Sequence, residues 1–153
     1  MLQDIAAAVV WVDFATIALH KLLGLGKSLD KWYEHFGILA VISDCLIIVL
    51  GILLAKMFFP QYSLVYSAVA VQIVHDILFY MFVIVPTPRG HNQIIDLFKE
   101  YATENSWKIV AYDSLMVAST VLLAQQFATM KKQNVSFLGL LGAYALTYII
   151  YTK

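Results

Sequence analysis

The chain has 153 residues, of which 61% are hydrophobic and 13% charged, with a formal net charge of zero; an average soluble domain is about a quarter charged. The apolar excess calls for lipid, the neutral balance offers no basic surface for nucleic acid, and loops this short leave room for one domain only. The single cysteine, Cys45, excludes an internal disulfide, a CxxC redox pair and a multi-cysteine zinc site.

A helix needs about 20 mostly apolar residues to cross about 30 Å of hydrocarbon, and five stretches meet or approach that length. The first, Leu2 to Leu23, is interrupted by Asp13. It lacks a basic leader and a small-residue cleavage site, so it is expected to stay as a helix and not to be removed as a signal peptide. The second and third, Phe36 to Phe59 and Tyr62 to Val85, are separated by Pro60 and Gln61, a turn so tight that the two must be antiparallel neighbours. Pro86, Thr87, Pro88, Arg89 and Gly90 then stop the helix, because proline lacks a donor and disfavours helix before it.

From Asn92 a different pattern begins. Asn92 is placed to cap a helix over about 92–105, in which Ile94, Ile95, Phe98 and Tyr101 share one face and Asp96, Lys99, Glu100 and Glu104 mostly the other. That is the pattern of a helix lying on the membrane surface; a solvated loop helix is the plainer alternative. The fourth span runs from Trp107 to Met130 and the fifth from Val135 to Tyr151, with Lys131 to Asn134 as another tight turn that predicts antiparallel neighbours. Gly139 and Ala143, with Gly142 beside them, supply small residues for close helix packing, either within the chain or in a homo-oligomer. The predicted fold is therefore all-α, a polytopic transmembrane bundle with one interfacial helix.

Cations in the short loops set an orientation. One end carries Lys21, Lys27, Lys31, Arg89, Lys99, Lys108 and Lys153, the other Lys56, Lys131 and Lys132. The richer end is expected to be cytoplasmic, with the C-terminus there and the N-terminus opposite. A faint internal repeat is also present: Asp44, Leu46, Leu53, Leu54, Ala55 and Phe58 recur at a constant offset as Asp113, Leu115, Leu122, Leu123, Ala124 and Phe127, with Glu34 and Glu104 close to the same register. Both copies begin spans that run in the same direction, as a duplicated hairpin would, although leucine and alanine matches arise easily in membrane helices.

Ionisable groups inside hydrocarbon cost about 2.5–3.5 kcal/mol each on the gentlest scale. Asp13, Asp44, His75, Asp76 and Asp113 all fall inside apolar stretches. Asp44, His75, Asp76 and Asp113 lie in the half nearer the Lys-rich end, so they can share one polar layer. Gln72, His75, Asp76 and Tyr80 form one helical stripe, Asp13, Thr16 and His20 another, and Tyr144, Thr147, Tyr148 and Tyr151 a third; Ser43 and Ser114 stand beside Asp44 and Asp113 as hydroxyl donors. Such stripes belong in a protein interior or a wet cavity.

The lysines within the spans, Lys21, Lys56 and Lys108, stand at their ends, so no lysine or arginine inside the spans is available to pair with these acids. They are then protonated and hydrogen-bonded packing groups, or a site for protons or a cation. A metal held by Asp44, His75, Asp76 and Asp113 would lack any ligand spacing of the HExxH kind, and His20 and His75 differ too much in depth to clamp a haem, so no cofactor beyond a cation is expected. His35 and His91 sit with Glu34 at the Lys-rich interface as solvated groups. No retinal lysine, TVGYG filter or Walker or Rossmann glycine pattern is present, and no enzyme signature.

Three segments, Gln72 to Tyr80 (QIVHDILFY), Asp96 to Glu104 (DLFKEYATE) and Asp113 to Met116 (DSLM), resemble uncharacterised multi-span membrane proteins of nucleocytoplasmic large DNA viruses. The resemblance covers about the second half of the chain and implies a setting, not a reaction: a virion's internal membrane or a host membrane, with capsid or membrane proteins as partners. The chain departs from it at Asn105, Ser106 and Trp107, where the family resemblance implies a glycine-containing element. Two functional classes follow: a structural or scaffolding membrane protein whose buried acids specify helix pairing, or a proton- or cation-conducting protein that uses Asp44, His75, Asp76 and Asp113.

Overall fold

The computed structural model describes residues 1–24 and 26–152, and every described element is helical. α1 (Leu2–Leu23), α3 (Ile38–Phe58) and α6 (Lys108–Ala128) are long apolar helices. α4 (Leu64–Phe79) continues through a π turn at Tyr80–Ile84, which makes a fourth apolar rod over Leu64–Ile84. These four are long and apolar enough to cross a membrane.

α7 (Lys132–Ile149) occupies the predicted fifth span, but it is not among the helices that meet both criteria. Its Lys132, Gln133, Asn134, Thr147 and tyrosines dilute the apolar content. Two shorter amphipathic helices complete the fold, α2 (Lys27–Phe36) and α5 (Gln93–Asn105). α5 starts where the sequence places it, with Asn92 Oδ1 accepting from the amides of Ile94 at 2.9 Å and Ile95 at 3.2 Å. α2 was not foreseen; its segment reads as a charged loop, yet Leu29, Trp32, Tyr33 and Phe36 recur at i, i+3, i+4, i+7.

α1, α6, α4 and α3 pack as a ring in which each helix runs antiparallel to its neighbours, and α7 lies against the outside of α1. The tight turn at Pro60 and Gln61 does make α3 and α4 packed neighbours. The turn before α7 does not do the same for α6 and α7: α7 packs parallel to α1 instead. The reason is steric and polar. Gly139 and Gly142 let the α7 backbone close on Ala7, Val10 and Trp11, where a Cβ on Gly142 would stand 2.8 Å from Val10 Cγ1. Trp11 Nε1 donates to the Leu138 carbonyl at 2.9 Å, and Gln3 Nε2 donates to Ser136 at 2.6 Å. Asp4, fully buried, accepts Lys132 Nζ at 2.7 and 2.8 Å and the N-terminal ammonium at 2.7 Å.

One face of α3 (Leu39, Ile42, Leu46, Leu50 and Leu54) is exposed, although the bundle core of Ile5, Val9, Ile48, Ile52, Val117 and Val121 is closed. A contiguous apolar face on that scale is what lipid covers. At the Lys-rich end α2 and α5 pack against each other across the ends of the spans. Glu104 of α5 accepts the backbone amides of Lys27 (3.0 Å) and Ser28 (2.9 Å), so a carboxylate from one cap helix satisfies the free N–H groups at the start of the other. Lys31 and Glu100 add an ion pair at 2.7 Å.

Candidate functional site

The acids foreseen in the spans collect directly beneath this cap. Asp13 of α1 is fully buried; Asp44 of α3 and Asp113 of α6 are half-buried, and Asp76 of α4 is 12% exposed. Asp44 has Asp13 as its charged neighbour, and Asp113 has Asp76, Asp44 and His75. Four helices thus contribute to one polar layer; the depths in the sequence group Asp44, His75, Asp76 and Asp113, and Asp13 of α1 joins them in the structure.

Each contact has a local cause. Gln72, His75 and Asp76 share a face of α4 through their helical spacing. Gln72 Nε2 donates to Asp76 Oδ1 at 2.7 Å, and His75 Nδ1 lies 3.2 Å from the same oxygen. Gln72 is buried against α3 where Gly51 leaves it room, its Oε1 3.9 Å from where a Cβ would sit. His75 is the least enclosed member, 38% exposed, with its ring stacked on Phe79 at 5.6 Å. Cys45 Sγ lies 3.8 Å from Asp13 Oδ2, across the α1–α3 contact. Two buried carboxylate oxygens of the layer, Asp13 Oδ1 and Asp76 Oδ2, have no hydrogen-bond partner; outside it the same holds for Asp96 Oδ1 of α5.

The roof of the layer is aromatic and comes from the cap helices. Trp32 Nε1 donates to Asp44 Oδ2 at 3.1 Å, and the Trp32 ring packs between Phe36 (5.0 Å) and Phe98 (5.1 Å). Phe98 in turn meets Phe79 edge-on at 6.1 Å, which connects the roof to the His75 stack. Tyr33 lies near Asp44 and Asp13, and Tyr101 near Asp113 and Asp44. Burial, and then the Asp44 carboxyl, pushes the Tyr33 hydroxyl well above its ordinary value, and burial does the same for Tyr101. Both hydroxyls therefore stay protonated at neutral pH.

The roof residues Trp32, Tyr33 and Tyr101 were not expected at the site, and Trp32 and Tyr33 were recoverable only from the helical pattern of α2. The hydroxyl donors expected from the spans are not used: Ser43 is exposed, and the donors present are Trp32, Cys45, Gln72 and His75. The α7 stripe is also placed differently. Tyr144 and Tyr148 face outward, with a hydroxyl contact of 2.9 Å, because Gly139 and Gly142 take the inward face, and Tyr151, past the helix end, is exposed with its hydroxyl over Gly37. Ala143 is exposed with them, so the close seam is made by the two glycines alone.

In α1, His20 is buried with Nε2 2.7 Å from Asp30 of α2, and Thr16 bonds back to the Val12 carbonyl at 2.9 Å. His35, His91 and Glu34 are exposed. Among the described residues no three His, Cys, Asp or Glu side chains converge in a group that could hold a metal ion. Two surface hollows lie away from the layer, one between the π turn and α5, the other at the opposite end among Met1, Asp4, Ile5 and Lys132.

Neither a family model, nor a curated protein, nor a solved structure matches this chain.

Proposed function

We propose that this is a structural, non-enzymatic membrane component whose acidic layer locks the helices and their cap into one arrangement. The observation that carries the reading is the connectivity of the acids: Asp13 is tied to α3 through Cys45, and Asp44 to α2 through Trp32. Asp76 closes on its own helix through Gln72 and His75. Interhelical hydrogen bonds in a bilayer contribute about 0.6 kcal/mol each, up to about 1.7. Their larger effect is on specificity, because a slipped helix would leave a carboxyl unpaired in hydrocarbon.

A viral internal membrane or a host membrane is the setting that the family resemblance suggests, with the bilayer and capsid or membrane proteins as partners. The cation-rich cap end is assigned to the cytoplasm. A second reading, conduction of protons or a cation through Asp13, Asp44, Asp76 and Asp113, is favoured by the unpartnered oxygens Asp13 Oδ1 and Asp76 Oδ2.

One reconstitution separates the two. Liposomes loaded with a pH dye and placed under an imposed potential are compared with the protein and with an Asp13→Ala/Asp44→Ala form, which removes the two ties between helices. The structural role predicts no flux in either and a lower unfolding temperature in the double variant. Flux in the unmodified protein that is lost in the variant overturns the structural role and establishes the conducting one.

A further inference from the structure

We infer that the hollow between the π turn and α5 is a binding site for a phosphate group, presented by an anionic phospholipid at the cytoplasmic interface. The hollow has a volume of about 260 Å³, with Arg89, Lys99, Tyr80 and Thr103 on its polar side and Ile84 and Val85 as an apolar wall. It is smaller than a drug-sized site of about 300–1,000 Å³, which suits a headgroup whose acyl chains lie outside against the bundle.

Three observations converge on it. The first is charge. Of the acids nearest in sequence, Glu100 pairs with Lys31, Glu104 holds the α2 amides, and Asp96 accepts the Gly90 amide at 2.8 Å through Oδ2 while its Oδ1 is buried without a partner. Among the described residues no carboxylate lies within ion-pair distance of Arg89 or Lys99. Arg89 and Lys99 thus line one hollow without an ion-pair partner, and Lys99 Nζ also donates to the Thr87 carbonyl.

The second is backbone. The amide of Val85 reaches the Tyr80 carbonyl, five residues back, at 2.9 Å. This widened turn, a rare form concentrated at functional sites, supplies Tyr80, Ile84 and Val85 to the hollow. The third is depth. The hollow lies where the apolar rod Leu64–Ile84 ends, the level at which lipid phosphates sit, and basic pockets between spans on the cytoplasmic side recognise such headgroups. Arginine offers the phosphate a two-pronged donor and lysine a point charge.

The test uses the full chain in a non-ionic detergent. Native mass spectrometry and thermal unfolding are followed with phosphatidylglycerol, with diacylglycerol, which lacks the phosphate, and with inorganic phosphate alone. The expected result is a one-to-one phosphatidylglycerol adduct that raises the unfolding temperature, is weakened about tenfold or more in Arg89→Gln, and is largely kept in Arg89→Lys. Arg89 is exposed and, among the described residues, has no ion-pair partner, so Arg89→Gln should unfold at the unmodified temperature without lipid; if it does not, retention of the adduct by Arg89→Lys and its loss in Lys99→Gln carry the same decision. A response to inorganic phosphate alone, lost in Arg89→Gln, keeps the site and assigns it a soluble phosphate. Equal binding of diacylglycerol, or phosphatidylglycerol binding unchanged in Arg89→Gln and Lys99→Gln, overturns the inference.

Discussion

Ser106 stands at the joint between α5 and α6 with φ 49° and ψ −131°, and Gly37 stands at the joint between α2 and α3 with φ 50° and ψ −125°. Both joints turn a cap helix into a span. Glycine adopts this conformation freely, whereas a side chain there is strained by about 1–3 kcal/mol. The departure from the family resemblance at Asn105, Ser106 and Trp107 thus falls on the one described non-glycine residue with positive φ. Ser106→Gly is expected to raise stability by about 1 kcal/mol despite the added freedom of the unfolded chain, measured as a higher unfolding temperature in detergent. Gly37 has the additional constraint that a Cβ would stand 2.9 Å from the Tyr151 hydroxyl.

Between elements, two contacts make the fold what it is. Gly142 is where α7 commits to α1: a methyl there meets Val10 Cγ1 at 2.8 Å and the Trp11 ring at 3.2 Å. Gly142→Ala is predicted to destabilise the protein by about 1–3 kcal/mol through overpacking and to increase hydrogen exchange in α7 before α3 or α4. The second contact is the cap. The Ser28 hydroxyl, followed by the Ser28 and Lys27 amides, holds the Glu104 carboxyl below its ordinary value of 4.5. A depressed acid contributes stability that is complete above its unfolded value and lost as pH falls through the folded one. The α2–α5 docking should therefore be intact at neutral pH and loosen as pH drops below about 4.5. Fluorescence of Trp32 should follow that transition, and Glu104→Gln should remove its acid dependence while leaving α2 less protected at pH 7.

The same scale shows how far the repeat extends. α2–α3–α4 and α5–α6–α7 each consist of a cap helix, a matching joint and two long helices, with Asp44 and Asp113 near the start of the first long helix in each. The third members then part: α4 packs on its own hairpin partner α3, while α7 crosses to α1. Leucine and alanine matches carry no information about that choice, because all are equally apolar. The polar and small groups that decide it, Gln3, Asp4, Trp11, Lys132, Gly139 and Gly142, lie outside the repeated pattern.

Considered whole, the molecule is polarised. Both cap helices and the cations Lys21, Lys27, Lys31, Arg89, Lys99 and Lys108 gather at one end, while Met1, Lys56, Lys131 and Lys132 lie at the other; Lys153, counted with the first group in the sequence, falls outside the described residues. If the cation-rich end is cytoplasmic, a membrane-impermeant thiol reagent added outside intact cells should label Gln133→Cys and spare Glu34→Cys. Both positions are exposed, and the native Cys45, half-buried beside Asp13, provides the unlabelled control. The opposite labelling pattern would reverse the orientation, and labelling of both from one side would contradict the antiparallel ring.

The residue order by itself determined the helical class, the positions of the long apolar helices, the α5 cap at Asn92 and the shared depth of Asp44, His75, Asp76 and Asp113. Those features depend on local periodicity, on proline and asparagine chemistry, and on the cost of charge in hydrocarbon, all of which act within a few turns of chain. Only the tertiary structure decided that α7 lies on α1, that its tyrosines face outward, and that Trp32, Tyr33 and Tyr101 close over the acids. Those outcomes depend on which surfaces meet across the bundle, and in a chain this apolar many pairings bury similar area. The choice among them falls to two glycines, the ion pair between buried Asp4 and Lys132, and the hydrogen bonds that Gln3 and Trp11 make to α7.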